Sequence, residues 1–238
     1  MPTYEELAWT SSPFGELALR RREIPGLETG PIHEITVDGE MLMSSWLDAS
    51  ERALAGHTLD VVEGETLDVV VGGLGLGRSV QAALKDPRVA SVHVVEIVPE
   101  VIAWHEQGLI PWGPALLDDP RVRVHRADFF AWIEAPAEEV GAPERPHAVL
   151  VDIDHRPDAL LDPHNARFQG PASLARLARR LASGGAFGFW SAGPPQAGFQ
   201  ARLEAAFAEV SAHEVRVDNP MIDAEQVDTV YVAVPART

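Results

Sequence analysis

Residues 67–97, LDVVVGGLGLGRSVQAALKDPRVASVHVVEI, constrain the fold of this chain more than any other stretch. Leu67 to Val71 is a short β-branched run of the kind expected for a strand covered on both faces. Gly72, Gly73, Gly75 and Gly77 follow at once, and a helical pattern carrying Val80, Ala83 and Leu84 begins near Arg78. Asp86-Pro87 stops that helix. Ser91 to Val95 reads as a second strand ending on Glu96. A glycine turn lets backbone approach a ligand closely, and the helix behind it aims unpaired N–H groups at the same place. An acid at the tip of the next strand can accept both hydroxyls of a ribose. Glu96 comes 19 positions after Gly77, close to the roughly 20 expected of a nucleoside-binding βαβ unit. The bland alternative is a glycine-tolerant turn with an exposed strand-end glutamate.

The rest of the chain extends this unit in both directions. Residues 1–15 read as a loosely held arm. Glu16 to Ile24 reads as a strand, and Ile32 to Ser44 as a hairpin turning at Asp38-Gly39. A short helix is expected over 46–56. Residues 1–64 therefore form a small, mostly β N-terminal domain, and residues 65–238 a nucleoside-binding domain, with Glu63-Gly64-Glu65 as the boundary. After Glu96, a helix begins at Pro99 and places His105 on its inner face. Arg121 to His125 is the third strand, with Asp128 just past its end and a helix starting at Phe129-Phe130. Residues 135–146 are loop by composition. Ala148 to Val151 is the fourth strand, and Asp152-Ile153-Asp154-His155 stands at its exit. A helix through Leu174, Leu177 and Leu181, a strand from Ala186 to Trp190, a helix through Phe199, Leu203, Phe207 and Val210, and an antiparallel pair (212–218 with 228–234) complete the chain. The fold class is α/β: a doubly wound, mostly parallel, Rossmann-like sheet with a small N-terminal β-hairpin domain. Ligands of such sheets sit at the carboxyl ends of the strands, where Gly73 to Gly77, Glu96, Asp128 and Asp152 to His155 all fall.

Charge and composition narrow the chemistry. The 238 residues carry 36 acids against 19 bases, a formal charge of −17, which argues against a nucleic-acid backbone or an anionic membrane surface as partner. Cysteine is absent, which excludes disulfides, thiolate metal sites and cysteine nucleophiles. No apolar run reaches the length of a membrane span, and MPTYEELAWTSS lacks a signal-peptide core, so a cytoplasmic protein is the expectation. A metal site at Asp154, His155 and His164 would rest on residue type alone, and no metal is expected. Asp152 and Asp154 point to one side of an extended strand exit, beside His155; if they converge in a cleft, their mutual repulsion raises one pKa and suits a general base. Arg52 is either a contact for an acidic acceptor or a helix-face partner of Asp48 or Glu51. Trp46, Phe168 and Trp190 are either acceptor-pocket walls or core.

From about Glu16 to about Trp190 the chain resembles the class I S-adenosylmethionine-dependent transferases, and among them the spermidine synthase (polyamine aminopropyltransferase) family. The resemblance lies in ITVDGEMLMS, a hairpin with a DG turn; GGLGLGRS, at the place of the family's GGGDGG loop; VVEIVPEVI; DPRVRVHRADFFAWI; and HAVLVDIDHRP, at the strand-four aspartate motif. It implies that S-adenosylmethionine or its decarboxylated form is the co-substrate. Gly73, Gly75 and Gly77 would lie against its amino-acid or aminopropyl end. Glu96, with Ile97 beside it, would hold the ribose, and Asp128, with Ala127 and Phe129 close by, the adenine amino group. Asp152 would face the sulfonium and the acceptor, and the catalytic aspartate position falls on Asp154, with a shift, or on His155.

The polyamine half of that pattern departs from the family. The loop aspartate is Gly75 here, the hairpin glutamine is Leu42, the tyrosine-histidine pair is Glu51-Arg52, and the tyrosine of the EFY segment is Gln169. The resulting expectation is methyl transfer from a sulfonium to a small-molecule acceptor. The alternatives are aminopropyl transfer to an amine and a non-catalytic nucleoside-binding relative. A dinucleotide dehydrogenase fits less well, because GxGxG is followed by Arg78 without the x-x-G spacing. The N-terminal hairpin leaves a sheet edge that a homodimer would cover.

Overall fold

The computed structural model describes residues 3–25, 30–134, 140–153, 156–160, 162–219 and 223–237. The N-terminal strands β1 (Thr3–Ser12), β2 (Gly15–Glu23), β3 (Ile32–Val37) and β4 (Glu40–Ser44) form an antiparallel sheet in sequential order. Asp38 and Gly39 make the expected two-residue turn, both with positive φ (49° and 84°). The reading of residues 1–15 as a loose arm is corrected. Tyr4 and Trp9 of β1 are about half exposed, so hydrophobic alternation does not reveal this strand. Its ladder to β2 holds it, and Arg21 reaches Glu5 across the pair at 2.8 Å.

Helix α1 (Ala49–Asp60) lies three residues further along than expected at its start and four at its end. It packs on the larger sheet through Leu54, Ala55, Thr58 and Leu59, all buried, and the Thr58 hydroxyl is satisfied by the Leu54 carbonyl at 2.7 Å. The alternating pattern then runs in the expected order, with one short helix, α4, that was not expected and a closing pair longer than 212–218 with 228–234: β5 (Leu67–Gly72), α2 (Arg78–Ala83), β6 (Val89–Glu96), α3 (Pro99–Glu106), α4 (Gly113–Leu117), β7 (Val122–Arg126), α5 (Phe129–Glu134), β8 (Ala148–Val151), α6 (Pro171–Arg180), β9 (Ala186–Ala192), α7 (Ala197–Glu204), β10 (Glu209–Asn219) and β11 (Ala224–Val234). Helix α7 stops at Glu204, short of the expected reach. Phe207 is buried in the following turn and Val210 sits on β10, because apolar residues in that turn and strand happen to continue the helical period. Of the loop read over 135–146, residues 135–139 lie outside the described residues.

The seven strands of the larger sheet run in the order β10-β11-β9-β8-β5-β6-β7. The five strands from β9 to β7 are mutually parallel; β11 and β10 close one edge antiparallel. Helices cover both faces, and one core includes α1 to α4 while the other includes α5 to α7 and an aromatic cluster around Phe168, Phe187, Phe189 and Phe199. Phe168 belongs to that core. Strand order reverses at β5, whose neighbours β6 and β8 open a crevice at their carboxyl ends. The register sets Gly72 opposite both Val95 and Val151, so the next residues along each strand, Gly73, Glu96 and Asp152, emerge level with one another. Among the described residues no helix is long and apolar enough to cross a membrane.

Candidate active site

The glycine turn is shaped by its neighbours as much as by any ligand. A Cβ at Gly73 (φ 87°) would stand 2.8 Å from the Asp152 carbonyl oxygen, and one at Gly75 (φ 46°) 2.5 Å from the Met43 methyl group. The exit of β8 and the N-terminal hairpin therefore press on the loop from two sides. Glu96 closes its base. Its two carboxylate oxygens accept the backbone N–H groups of Leu74 (2.8 Å) and Val98 (2.7 Å). Burial pushes its pKa up, and those amides oppose the rise. The amides of Gly75 and Ile97 also act on this carboxylate, which lines a cleft beside the loop.

That cleft spans about 940 Å³, the open solvent at its mouth included. Gly73, Gly75, Glu96, Ile97, Asp128, Phe129 and Asp152 all line it, so most of the residues singled out from the sequence converge. Ile97 is 41% exposed, an apolar side chain held open at a strand exit. Phe14, Leu17, Ile35 and Met43 of the small sheet roof the cleft, which makes it largely apolar. Two expected contacts do not line it. Gly77 caps α2 and faces Leu116 and His105, and Ala127 spends its backbone N–H on the Glu96 carbonyl at 3.0 Å. Asp128 has a structural task as well: one of its oxygens accepts from Phe130 N (2.8 Å) and Ala131 N (3.2 Å) at the start of α5. The other faces the Arg167 guanidinium at 3.3 Å on the cleft rim.

A second cavity, about 1400 Å³ with the open solvent at its mouth included, adjoins the first, and Leu42, Met43, Asp152 and Ile153 line both. Its walls include Trp46, Trp190, Glu51, Asp228 and the Arg22–Glu34 ion pair. Asp152 accepts the Ser79 hydroxyl at 2.6 Å; burial and then Asp228 push its pKa up, with the Ser79 hydrogen bond opposing. Glu51 is raised to about 8, by burial first and the Asp152 charge next, while Ser50 donates to it at 3.0 Å. Asp228, 5% exposed, is raised by burial and accepts from Gln226 at 3.0 Å. Three carboxylates thus share one wall from α1, the β8 exit and β11, and like charges there resist ionising together. Arg52 turns away and pairs with Asp48. Asp154 and His155 lie outside the described residues, and so does any metal arrangement that includes them.

Glu51 and Asp228 were not among the sequence candidates. Glu51 sits in a helix whose apolar stripe is weak, and nothing local marks it. Asp228 carried a readable signal, an acid inside the β-branched run 227–232, where an unpaired charge is costly.

No family model matches this chain, and no curated protein matches it by sequence. Its fold does match solved structures. A spermidine synthase in complex with the transition-state analogue AdoDATO superposes with a TM-score of 0.69 over 94% of this chain and 72% of that one, at 14% identity. The spermidine synthase from Thermotoga maritima gives 0.68 over the same shares at 15% identity. The chain therefore has a spermidine synthase-like fold: a Rossmann-like, mostly parallel sheet with a separate four-stranded N-terminal sheet.

Proposed function

We propose that the protein is an aminopropyltransferase: it takes the aminopropyl group of decarboxylated S-adenosylmethionine and passes it to a cationic small-molecule amine. The observation that carries this reading is the junction at Asp152 of an apolar, acid-ended cleft with a cavity walled by Glu51, Asp152 and Asp228. The first suits a nucleoside. In it Glu96 would accept the ribose hydroxyls, Asp128 the exocyclic amine, and Ile97 and Phe129 would flank the base. The second suits a cation, since a bound ammonium offsets the repulsion among its carboxylates. The likeness in fold to the spermidine synthases adds support.

In the reaction the acceptor nitrogen attacks the carbon bonded to sulfur. A C–N bond forms, the C–S bond breaks, its electron pair stays on sulfur, and methylthioadenosine leaves. The surplus proton on the attacking nitrogen passes to a carboxylate, for which Asp152 is the candidate at the seam; Asp154 and His155 remain candidates from the sequence. Holding nucleophile, carbon and sulfur in line would supply most of the acceleration.

The expectation of methyl transfer rested on polyamine-side groups lost at Gly75, Leu42 and Glu51-Arg52. Glu51 itself puts a carboxylate at one of those positions and Asp228 adds another from β11, which tilts the reading toward an amine acceptor. One observation still favours methyl transfer as the second reading: among the described residues it is the Met43 thioether, and not a carboxylate, that stands against Gly75. The test is to incubate the protein with S-adenosylmethionine or its decarboxylated form and a panel of diamines, and to follow the nucleoside product. Methylthioadenosine formed only with the decarboxylated donor is expected. S-adenosylhomocysteine from the intact donor would establish the second reading. Binding without product on any acceptor would leave a nucleoside-binding protein without catalysis.

A further inference from the structure

The backbone of residues 74–76 is held by four side chains from four separate parts of the chain. Glu96 takes the Leu74 N–H, and the Met43 sulfur takes the Leu76 N–H at 3.2 Å. The two carbonyls are held from the other side: His105 Nε2 lies 2.8 Å from the Gly75 oxygen, and Trp112 Nε1 donates to the Leu76 oxygen at 2.6 Å. His105 is fully buried on α3, and Trp112 precedes α4 and carries the Arg78 guanidinium over its ring at 3.8 Å.

The tautomer of His105 is dictated by this geometry. The Gly75 carbonyl can only accept, so Nε2 carries the hydrogen. Nδ1 is buried and has no hydrogen-bond partner among the described residues. Burial also pushes the imidazole below its usual range, so the ring is neutral and donates one hydrogen bond, to the loop. The packing leaves no slack: a Cβ at Gly77 would meet the imidazole Cε1 at 3.1 Å, and one at Gly113 would meet the His105 backbone at 2.6 Å. A buried, desolvated side chain whose one satisfied polar contact is the carbonyl of a left-handed glycine is an expensive way to fill a core. A leucine would fill it more cheaply.

We propose that His105 is a positioning residue for donor binding, with Trp112 as its second point of attachment: together they fix the carbonyls of Gly75 and Leu76 and so keep the loop in its binding shape before the nucleoside arrives. This rests on the nucleoside reading of the neighbouring cleft. A preset loop spares the ligand the ordering of those residues, so the contribution falls on donor affinity and leaves acceptor affinity alone.

The test is calorimetric titration of the full chain with methylthioadenosine, S-adenosylmethionine and its decarboxylated form. His105→Leu removes the donor and keeps the volume; His105→Gln restores an N–H at similar reach; Trp112→Phe removes the indole N–H but keeps a ring under Arg78, and serves if the leucine variant does not fold. Loss of one buried hydrogen bond predicts about tenfold weaker nucleoside binding for His105→Leu and a smaller loss for Trp112→Phe. His105→Gln should recover most of the affinity even where its melting temperature equals that of the leucine variant. Wild-type affinity in His105→Leu, or equal losses in the leucine and glutamine variants, would overturn the proposal. A wild-type chain that binds none of the three nucleosides would instead overturn the nucleoside reading, and the proposal with it.

Discussion

The two cavities that meet at Asp152 were assembled in opposite ways. In the proposed donor cleft, Glu96, Asp128 and Asp152 come from consecutive strand exits of one parallel sheet, and Asp162, His164, Asn165 and Arg167 from one further segment. The proposed acceptor cavity draws on Arg22, Glu51, Asp152, Trp190 and Asp228, spread over most of the chain. The chemistry differs as well. The cleft is roofed by apolar side chains with its acids at the margins, whereas the cavity concentrates three carboxylates, Asp228 buried and Glu51 and Asp152 half-buried, on one wall. A co-substrate that many folds of this kind share can be held by a local motif. An acceptor is held by whatever the periphery supplies, and the periphery includes α1 and the closing hairpin.

Substitutions can break this contrast. The largest effect is expected at the seam. Asp152→Asn should lower turnover by about 100-fold or more, the range for losing a general base, while methylthioadenosine binds within about threefold of wild type. Equal losses in binding and turnover would show that Asp152 belongs to the donor side alone. Glu96→Gln comes next. Weakening its charge-assisted hydrogen bonds should raise the nucleoside Kd about tenfold or more, with the acceptor KM unmoved; undiminished nucleoside uptake would remove the basis of the donor cleft.

Glu51→Gln should do the reverse, raising the acceptor KM about tenfold with the nucleoside Kd unchanged. It also has a signature in stability. Glu51 is raised to about 8 from an ordinary value of 4.5. Between those values the folded state binds a proton that the unfolded chain does not, so rising pH destabilises the protein. The wild-type melting temperature should fall relative to Glu51→Gln from pH 5 to pH 8, and a diamine should restore part of it. A difference that grows toward low pH would contradict the burial assigned to Glu51. The smallest effect is expected at Arg52→Ala. Its pair with Asp48 is exposed and spans one helical turn, worth about 0.5 kcal/mol or less. Chemical denaturation should detect little change, and a large loss of acceptor binding would return Arg52 to the site.

The order of strands and helices was readable because each element carries its own period: β-branched runs at 67–71 and 148–151, helical spacing at 174, 177 and 181, and a DG turn at 38–39. Strand β1 was not, since it buries little and is held by backbone pairing and the Glu5–Arg21 contact. The same division runs through the site. Gly73, Glu96, Asp128 and Asp152 stand at strand exits, and parallel pairing places such exits along one edge, so their meeting is a consequence of local pattern. Asp128 was legible as a cleft residue but not as the cap of α5 bound to Arg167, because a cap and a ligand contact use the same side chain.

Residues 67–97 by themselves determined that a βαβ unit with an acid-tipped second strand would form, and with it the parallel sheet and the place of the donor cleft. The reason is that strand, turn and helix signals act over a few residues, and register then aligns the strand exits. Only the tertiary structure decided which groups lie opposite. Met43 comes to rest on the glycine loop, His105 takes its carbonyl, and Glu51, Asp152 and Asp228 arrive at one wall through contacts between segments up to 177 positions apart. Burial, which sets the charge state of those carboxylates, is a property of that packing and of no single stretch of chain.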